Sequence, residues 1–219
     1  MKAHAWLHPM IRALAAAAVA GGLLAAWPAA WLAPVGRLAA AVTTHLNPWI
    51  DQLATQTDGF QLRITGRILP GMTLPDGTTP PPMFGTWSKP GIAVLPIGLV
   101  TLAAWAMVPA GRRRWRVLPL TLGLALLAAV FMLSIEIQQT TLQAICFDWL
   151  PQHAFADTPA NYAAFARLKR AYGINCWIQS FHDAGGNLFY GLLAGWIAFV
   201  LPRPPSSGIV LDTPIGTRS

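Results

Sequence analysis

The sequence predicts an all-α polytopic membrane helix bundle with four transmembrane helices, and a small extracytoplasmic loop region with room for a short β-hairpin. Three observations predict it. Of 219 residues, 54% are hydrophobic and only 11% charged, where soluble domains carry about 25% charged residues. The apolar residues gather into blocks of about 20, the length that crosses a hydrocarbon core about 30 Å thick. The stretches between blocks are too short for a large soluble catalytic domain. Composition therefore excludes a cytosolic enzyme, a disordered tail and a disulfide-dense secreted scaffold.

Residues 1–12 form a leader carrying Lys2 and Arg12, and residues 13–34 form the first apolar block. That block reads in two ways. A positive leader and small-residue sites such as Ala26-Trp27-Pro28-Ala29 resemble a secretory signal peptide. Its length, with Trp27 and Trp31 placed as interfacial anchors, favours an uncleaved span. Either way, residues 35–90 lie outside the cytoplasm. This segment holds Asp51, Asp58 and Asp76, and its run Thr79-Pro80-Pro81-Pro82 cannot continue a helix or a central strand. Within it Phe60, Leu62 and Ile64 alternate with Gln61, Arg63 and Thr65, the period-2 pattern of a half-buried strand.

Residues 91–110 and 117–136 are read as a helical hairpin, with Pro96 and Gly98 kinking its first arm. Arg112, Arg113, Arg114 and Arg116 mark the turn between the arms as cytoplasmic. A second outer loop, 137–183, leads to the last block, 184–201, and residues 203–219, with Pro204, Pro205, Ser206 and Ser207, form a flexible tail. Eight of the fifteen Lys and Arg residues fall in the short inner segments, and seven in the two outer loops. That asymmetry places both termini in the cytoplasm of a bacterial inner-membrane protein. The net charge of +7 belongs to this orientation, and nucleic acid is not among the expected partners.

Glu136, Gln139, Thr140 and Gln143 stand at helical i, i+3, i+4 and i+7 positions, and so share one face at the outer end of the third block. A carboxylate at the end of a span faces the bundle or a wet cavity. Asp183 and Asn187, one turn apart at the outer end of the last block, supply an opposing polar face. If the two meet, Glu136, Gln139, Asp183 and Asn187 form a polar cleft near the outer interface. The equal alternative is interhelical glue, worth about 0.6 kcal/mol per hydrogen bond. Gly191 and Gly195 continue the stripe as Gly-x-x-x-Gly, which serves close packing inside the molecule or a homodimer.

Cys146 and Cys176 are the only cysteines, and both fall in the second outer loop. In an oxidising compartment they are expected to form a disulfide, closing a loop worth roughly 3 to 4 kcal/mol in the chain-entropy model. The rival reading is nucleophilic: Cys146 or Cys176 attacks, His182 acts as base, and Arg167 or Arg170 holds an oxyanion or carboxylate, as in thiol acyl transfer. Phe181-His182-Asp183 looks like the His region of exosortases and archaeosortases, but that family places membrane helices between its catalytic residues and has more spans. His153 and His182 with Asp148, Asp157 and Asp183 lack tight ligand spacing, so neither a metal nor a cofactor is expected. No phosphate loop or serine elbow occurs.

From residue 91 to 201 the order of features resembles the VanZ-like family of small membrane proteins. Pro96-Ile97-Gly98 is similar to the family's P-x-G, the run from Arg112 to Arg116 to its basic cytoplasmic turn, and Ser134-Ile135-Glu136-Ile137-Gln138-Gln139 to its S-x-x-E-x-x-Q helix end. Asp183, Asn187, Gly191 and Gly195 are similar to its D-x-x-x-N followed by spaced glycines. The chain departs from the pattern in three places. It lacks an Asn shortly before Pro96, its second loop is long with Arg167 and Arg170 as the nearest arginines, and its glycine spacing is one residue longer. The resemblance implies an envelope protein of a type linked to glycopeptide (teicoplanin) resistance, without an established catalytic mechanism. The readings that follow are a cleft for an amphiphile or lipid-linked headgroup, a non-enzymatic accessory subunit of an envelope assembly or exosortase-type sorting system with a membrane-protein partner, and a thiol transpeptidase. The sequence favours a non-enzymatic protein.

Overall fold

A computed structural model describes residues 4–107 and 112–200. Helix α1, His4–Ala26, runs into α2, Pro28–Leu46, and a meander of β1, Ile50–Asp58, β2, Gln61–Ile68, and β3, Met83–Pro90, follows. A short 3-10 turn then enters α3, Leu95–Met107; the remaining helices are α4, Arg112–Gln143, α5, Pro159–Phe181, and α6, Asn187–Val200.

The break between α1 and α2 falls inside the block expected as the first span. Pro28 excludes Trp27 from the helical region, and Trp27 takes φ −130°, ψ 63°. The indole Nε1–H of Trp31 donates to the Leu24 carbonyl at 2.9 Å, satisfying one acceptor that the end of α1 leaves open. The three strands pair antiparallel in the order β1-β2-β3. Asp58 pairs with Gln61 across a two-residue turn, where Gly59 adopts φ +56°, the positive region that glycine enters without steric cost. Leu62, Ile64 and Ile68 are fully buried, while Gln61, Arg63 and Thr65 face water. The alternation read in the sequence therefore belongs to the central strand of a sheet rather than to a lone hairpin.

This sheet packs on α2 at short range: a Cβ on Gly36 would stand 2.7 Å from Leu62 Cδ1. Leu32, Val35 and Ala39 of α2, Leu62 and Ile64 of β2, Ile97 of α3, and Met132, Leu133 and Ile137 of α4 form one core. A second core joins Ile68, Met72, Leu142, Ile145, Ala164 and Leu168. Asn161 fastens the Pro-rich loop to α5: its Oδ1 accepts from Thr73 N at 2.9 Å, and its Nδ2 donates to the Thr73 and Ala156 carbonyls, each at 2.8 Å.

The four-span all-α bundle is not the architecture. The described residues form six α-helices and a three-stranded antiparallel sheet, and only two stretches, Leu7–Ala26 and Val117–Gln152, are long and apolar enough to cross a membrane. The described residues of α3 and α6, 13 and 14 in number, rise about 20 Å each, short of a core about 30 Å thick. Composition marked these segments as apolar blocks, but the 3-10 turn Gly91–Val94 precedes α3 and the bend His182–Gly186 precedes α6, so each helix begins later than its block. Arg112–Arg116, expected as an open turn, form the first turn of α4. Residues 108–111 before them, residues 201–219 with the tail expected to be flexible, and the leader's first three residues lie outside the described residues.

The outer loop expected at 137–183 is also mostly helix. The α4 helix runs on to Gln143 and through a wider turn, Ala144–Trp149, and α5 fills Pro159–Phe181. Thr158 caps α5, its hydroxyl accepting from Asn161 N at 3.2 Å, and Pro159 opens it, the residue pair that begins helices elsewhere.

Candidate functional site

With 32 residues, α4 rises about 48 Å at 1.5 Å per residue, more than one hydrocarbon core spans. Its polar C-terminal end therefore projects beyond the apolar part, and α5 packs against that end. The polar stripe faces this seam. Glu136 Oε1 accepts from Gln179 Nε2 of α5 at 2.7 Å, and the same nitrogen reaches Asp183 Oδ1 at 3.1 Å. From the other side, Lys89 at the end of β3 forms an ion pair, Nζ to Glu136 Oε2, at 3.3 Å. The side chains of Glu136 and Lys89 are 13% and 27% exposed, so the pair sits half out of water. One turn along, Gln139 Nε2 donates to Cys176 Sγ at 3.3 Å. Glu136 to Gln179 and Gln139 to Cys176 are thus two rungs of one ladder across the seam.

Beyond α5 the chain bends through His182–Gly186, where Gly185 takes φ +99°, and turns into α6. This bend holds His182 over the ladder. The ring is 4% exposed, packs edge-on against Tyr190 at 5.5 Å, and shares a 3.1 Å hydrogen bond between Nε2 and the Tyr190 hydroxyl. Burial pushes its pKa below the ordinary histidine range, opposed by the carboxylates of Glu136 and Asp183. Three buried polar atoms around the seam have no partner: Gln139 Oε1, Gln179 Oε1 and His182 Nδ1.

Of the expected cleft residues, Glu136, Gln139 and Asp183 come together. Asn187 is the first residue of α6, and its side chain lies outside what is described. Thr140 turns back on its own helix, its hydroxyl donating to the Glu136 carbonyl at 2.9 Å, and Gln143 is exposed. Polar groups of α4 beside the stripe do act as glue. Gln138 Nε2 donates to Asn47 Oδ1, just past the end of α2, at 2.6 Å, and the Thr43 hydroxyl reaches the Ser134 carbonyl at 3.3 Å. Gly191 and Gly195 lie against α3, where a Cβ would stand 2.9 Å from Val100 Cβ and 2.4 Å from Ala104 Cβ.

The cysteines sit on facing elements, Cys146 in the turn after α4 and Cys176 on α5. The structure holds both as free thiols rather than as the expected disulfide. The thiol site is not assembled either. Cys176 accepts from Gln139, and His182 spends Nε2 on Tyr190. Arg167 and Arg170 are exposed. Arg167 lines a cavity of about 120 Å³ with Pro48, Trp49 and Leu69, nine residues and so about 13 Å of helix away from Cys176. Among the described residues no cluster of three or more His, Cys, Asp or Glu side chains is placed to hold a metal ion. A groove of about 940 Å³ lies elsewhere, between α2 and the sheet, lined by His45, Arg67 and Phe84 among others.

The sequence reading missed Lys89 and Gln179. Gln179 carried a usable signal, four residues before Asp183 and hence on its face if 137–183 were helical. Lys89 offered only its place as a lone cation ahead of an apolar block. Compared with models of known protein families, with curated proteins and with solved structures, the chain matches none.

Proposed function

We propose that this chain is a membrane protein of the bacterial cell envelope, VanZ-like in type, whose α4–α5 seam binds the headgroup of an amphiphile or lipid-linked molecule. One observation carries the proposal: buried, partnerless polar atoms beside an ion pair, at the level where a long apolar helix becomes polar. Partnerless buried acceptors are costly, and a headgroup at the edge of a hydrocarbon core is a ligand that would pair with them. Outward-facing Leu7, Ile11, Leu14 and Leu23 of α1, Leu126, Leu127 and Phe131 of α4, and Leu192 and Trp196 of α6 give the apolar surface that a bilayer covers. The VanZ-like part rests on the sequence motifs alone. Teicoplanin resistance is not carried over.

The test is lipid retention. Full-length protein in nanodiscs of mixed lipids is ejected for native mass spectrometry, and the wild type holds one or more lipids that Glu136→Gln releases. Release of no lipid by this variant, with its fold intact by circular dichroism, overturns the reading. A second reading, an accessory subunit of an envelope assembly, is favoured by the open groove between α2 and the sheet, where Phe84 is 73% exposed. A stoichiometric protein partner in mild-detergent purification, lost in Phe84→Asp, distinguishes it. The thiol transpeptidase has no such support, because neither sulfur has an imidazole partner.

A further inference from the structure

We infer that the group bound in the α4–α5 seam is a primary ammonium. The inference rests on the headgroup reading and names the chemistry of that headgroup. The donor and acceptor ledger of the seam decides it. The bonds made across the seam are the Gln179 amide on Glu136 and Asp183, the Gln139 amide on Cys176, and Lys89 on Glu136. The orientation of the Gln179 amide follows from chemistry, since two carboxylates accept only from its nitrogen. Its oxygen is therefore the atom without a partner. Gln139 is 9% exposed, and its oxygen is likewise buried and partnerless. Two buried amide oxygens thus stand in the seam with no donor on them.

Charge points the same way. Glu136 and the exposed Asp183 bring two negative charges against the one positive charge of Lys89, so the carboxylates outnumber the cation at the seam. A phosphate or carboxylate entering beside Glu136 and Asp183 meets repulsion. A monocation with several N–H groups restores neutrality and satisfies the open oxygens. A primary ammonium has three donors, enough for the two amide oxygens and one carboxylate oxygen. A quaternary ammonium carries the charge but no donor, so it leaves both amides unsatisfied. Discrimination between the two is the signature of the site, because a buried polar group built to be paired rejects an analogue that cannot pair with it.

The same ammonium can come from an aminophospholipid or from a free amine in the periplasmic fluid, and the experiment separates them. Full-length protein is equilibrated in nanodiscs holding phosphatidylethanolamine, phosphatidylcholine and phosphatidylglycerol in equal amounts, and retained lipids are counted by native mass spectrometry. In a parallel arm, ethanolamine and choline are titrated against the detergent-solubilised protein, with tryptophan fluorescence as the readout. Phosphatidylethanolamine is expected to be retained about tenfold over phosphatidylcholine, the factor one unmade buried hydrogen bond is worth. Gln139→Leu, which removes an amide without emptying its volume, and Glu136→Gln both reduce that preference toward one. Saturable binding of ethanolamine but not choline, without lipid preference, assigns the ammonium to a free amine. Retention of all three lipids alike, released by Glu136→Gln, overturns the ammonium and leaves the headgroup reading standing. Retention of no lipid and binding of neither amine overturns both.

Discussion

The two ends of α4 teach different lessons although one continuous helix carries them. From 117 to 133 its outward side chains are Leu120, Leu122, Leu126, Leu127 and Phe131, exposed on the molecule. Its buried hydroxyl, Thr121, bonds only to its own helix, at the Val117 carbonyl. From Ser134 to Gln143 most polar side chains bond to another element: Ser134 to α2, Glu136 to α5 and β3, Gln138 to the end of α2, Gln139 to α5. A helix segment with no polar neighbour satisfies its polar groups internally. Packed against other elements, the other end spends them on neighbours, and Gln139 Oε1 there is left unpaired.

The sharpest break of this comparison is a pair of truncations. Ile137 is fully buried and Leu127 is 66% exposed, so Ile137→Ala should cost about 3 kcal/mol in urea titration in mild detergent. Leu127→Ala should cost roughly 0.5 kcal/mol or less. Equal losses would mean that the apolar end is packed in protein after all. Next in size is the ion pair. Lys89→Met and Glu136→Gln should each destabilise, and the double variant should recover about 1 kcal/mol of coupling, between the exposed and buried limits for such pairs. Zero coupling would reduce the pair to a surface contact.

A smaller effect concerns pH. His182 has a folded pKa below its unfolded value near 6.5, so the unfolded chain binds its proton first on acidification. The stability it supports is complete above about pH 6.5 and is lost as pH falls below it. Thermal midpoints measured from pH 7.5 to 5.5 should therefore fall for the wild type and fall less for His182→Gln. Equal slopes would show that the ring is not held neutral. The smallest expected effect is at the thiols. Alkylation of isolated membranes should label Cys146 and Cys176 to the same extent with and without prior reduction, as peptide mass mapping reads. Labelling that requires reductant would establish the disulfide, and unusually fast labelling of one thiol would revive the nucleophile.

Much of the seam was legible because helical spacing is local. Glu136 and Gln139 share a face at i and i+3 whatever surrounds them, and the alternation around Leu62 and Ile64 identified a strand before its partners were known. Lys89 and Gln179 were not legible, since they join Glu136 from 47 residues before it and 43 after it, and no periodicity links such distances. Reading 137–183 as a loop hid Gln179, although Thr158-Pro159 announced a helix start within it.

The sequence by itself determined which segments are apolar, where α4 turns polar, and which face its amides share, because these follow from composition and from 3.6 residues per turn. Only the tertiary structure decided how long each apolar helix is, that the sheet rests on α2, and that β3 and α5 deliver Lys89 and Gln179 to one carboxylate. Those outcomes depend on breaks, packing and long-range pairing, in which side chains far apart along the chain compete for the same buried space.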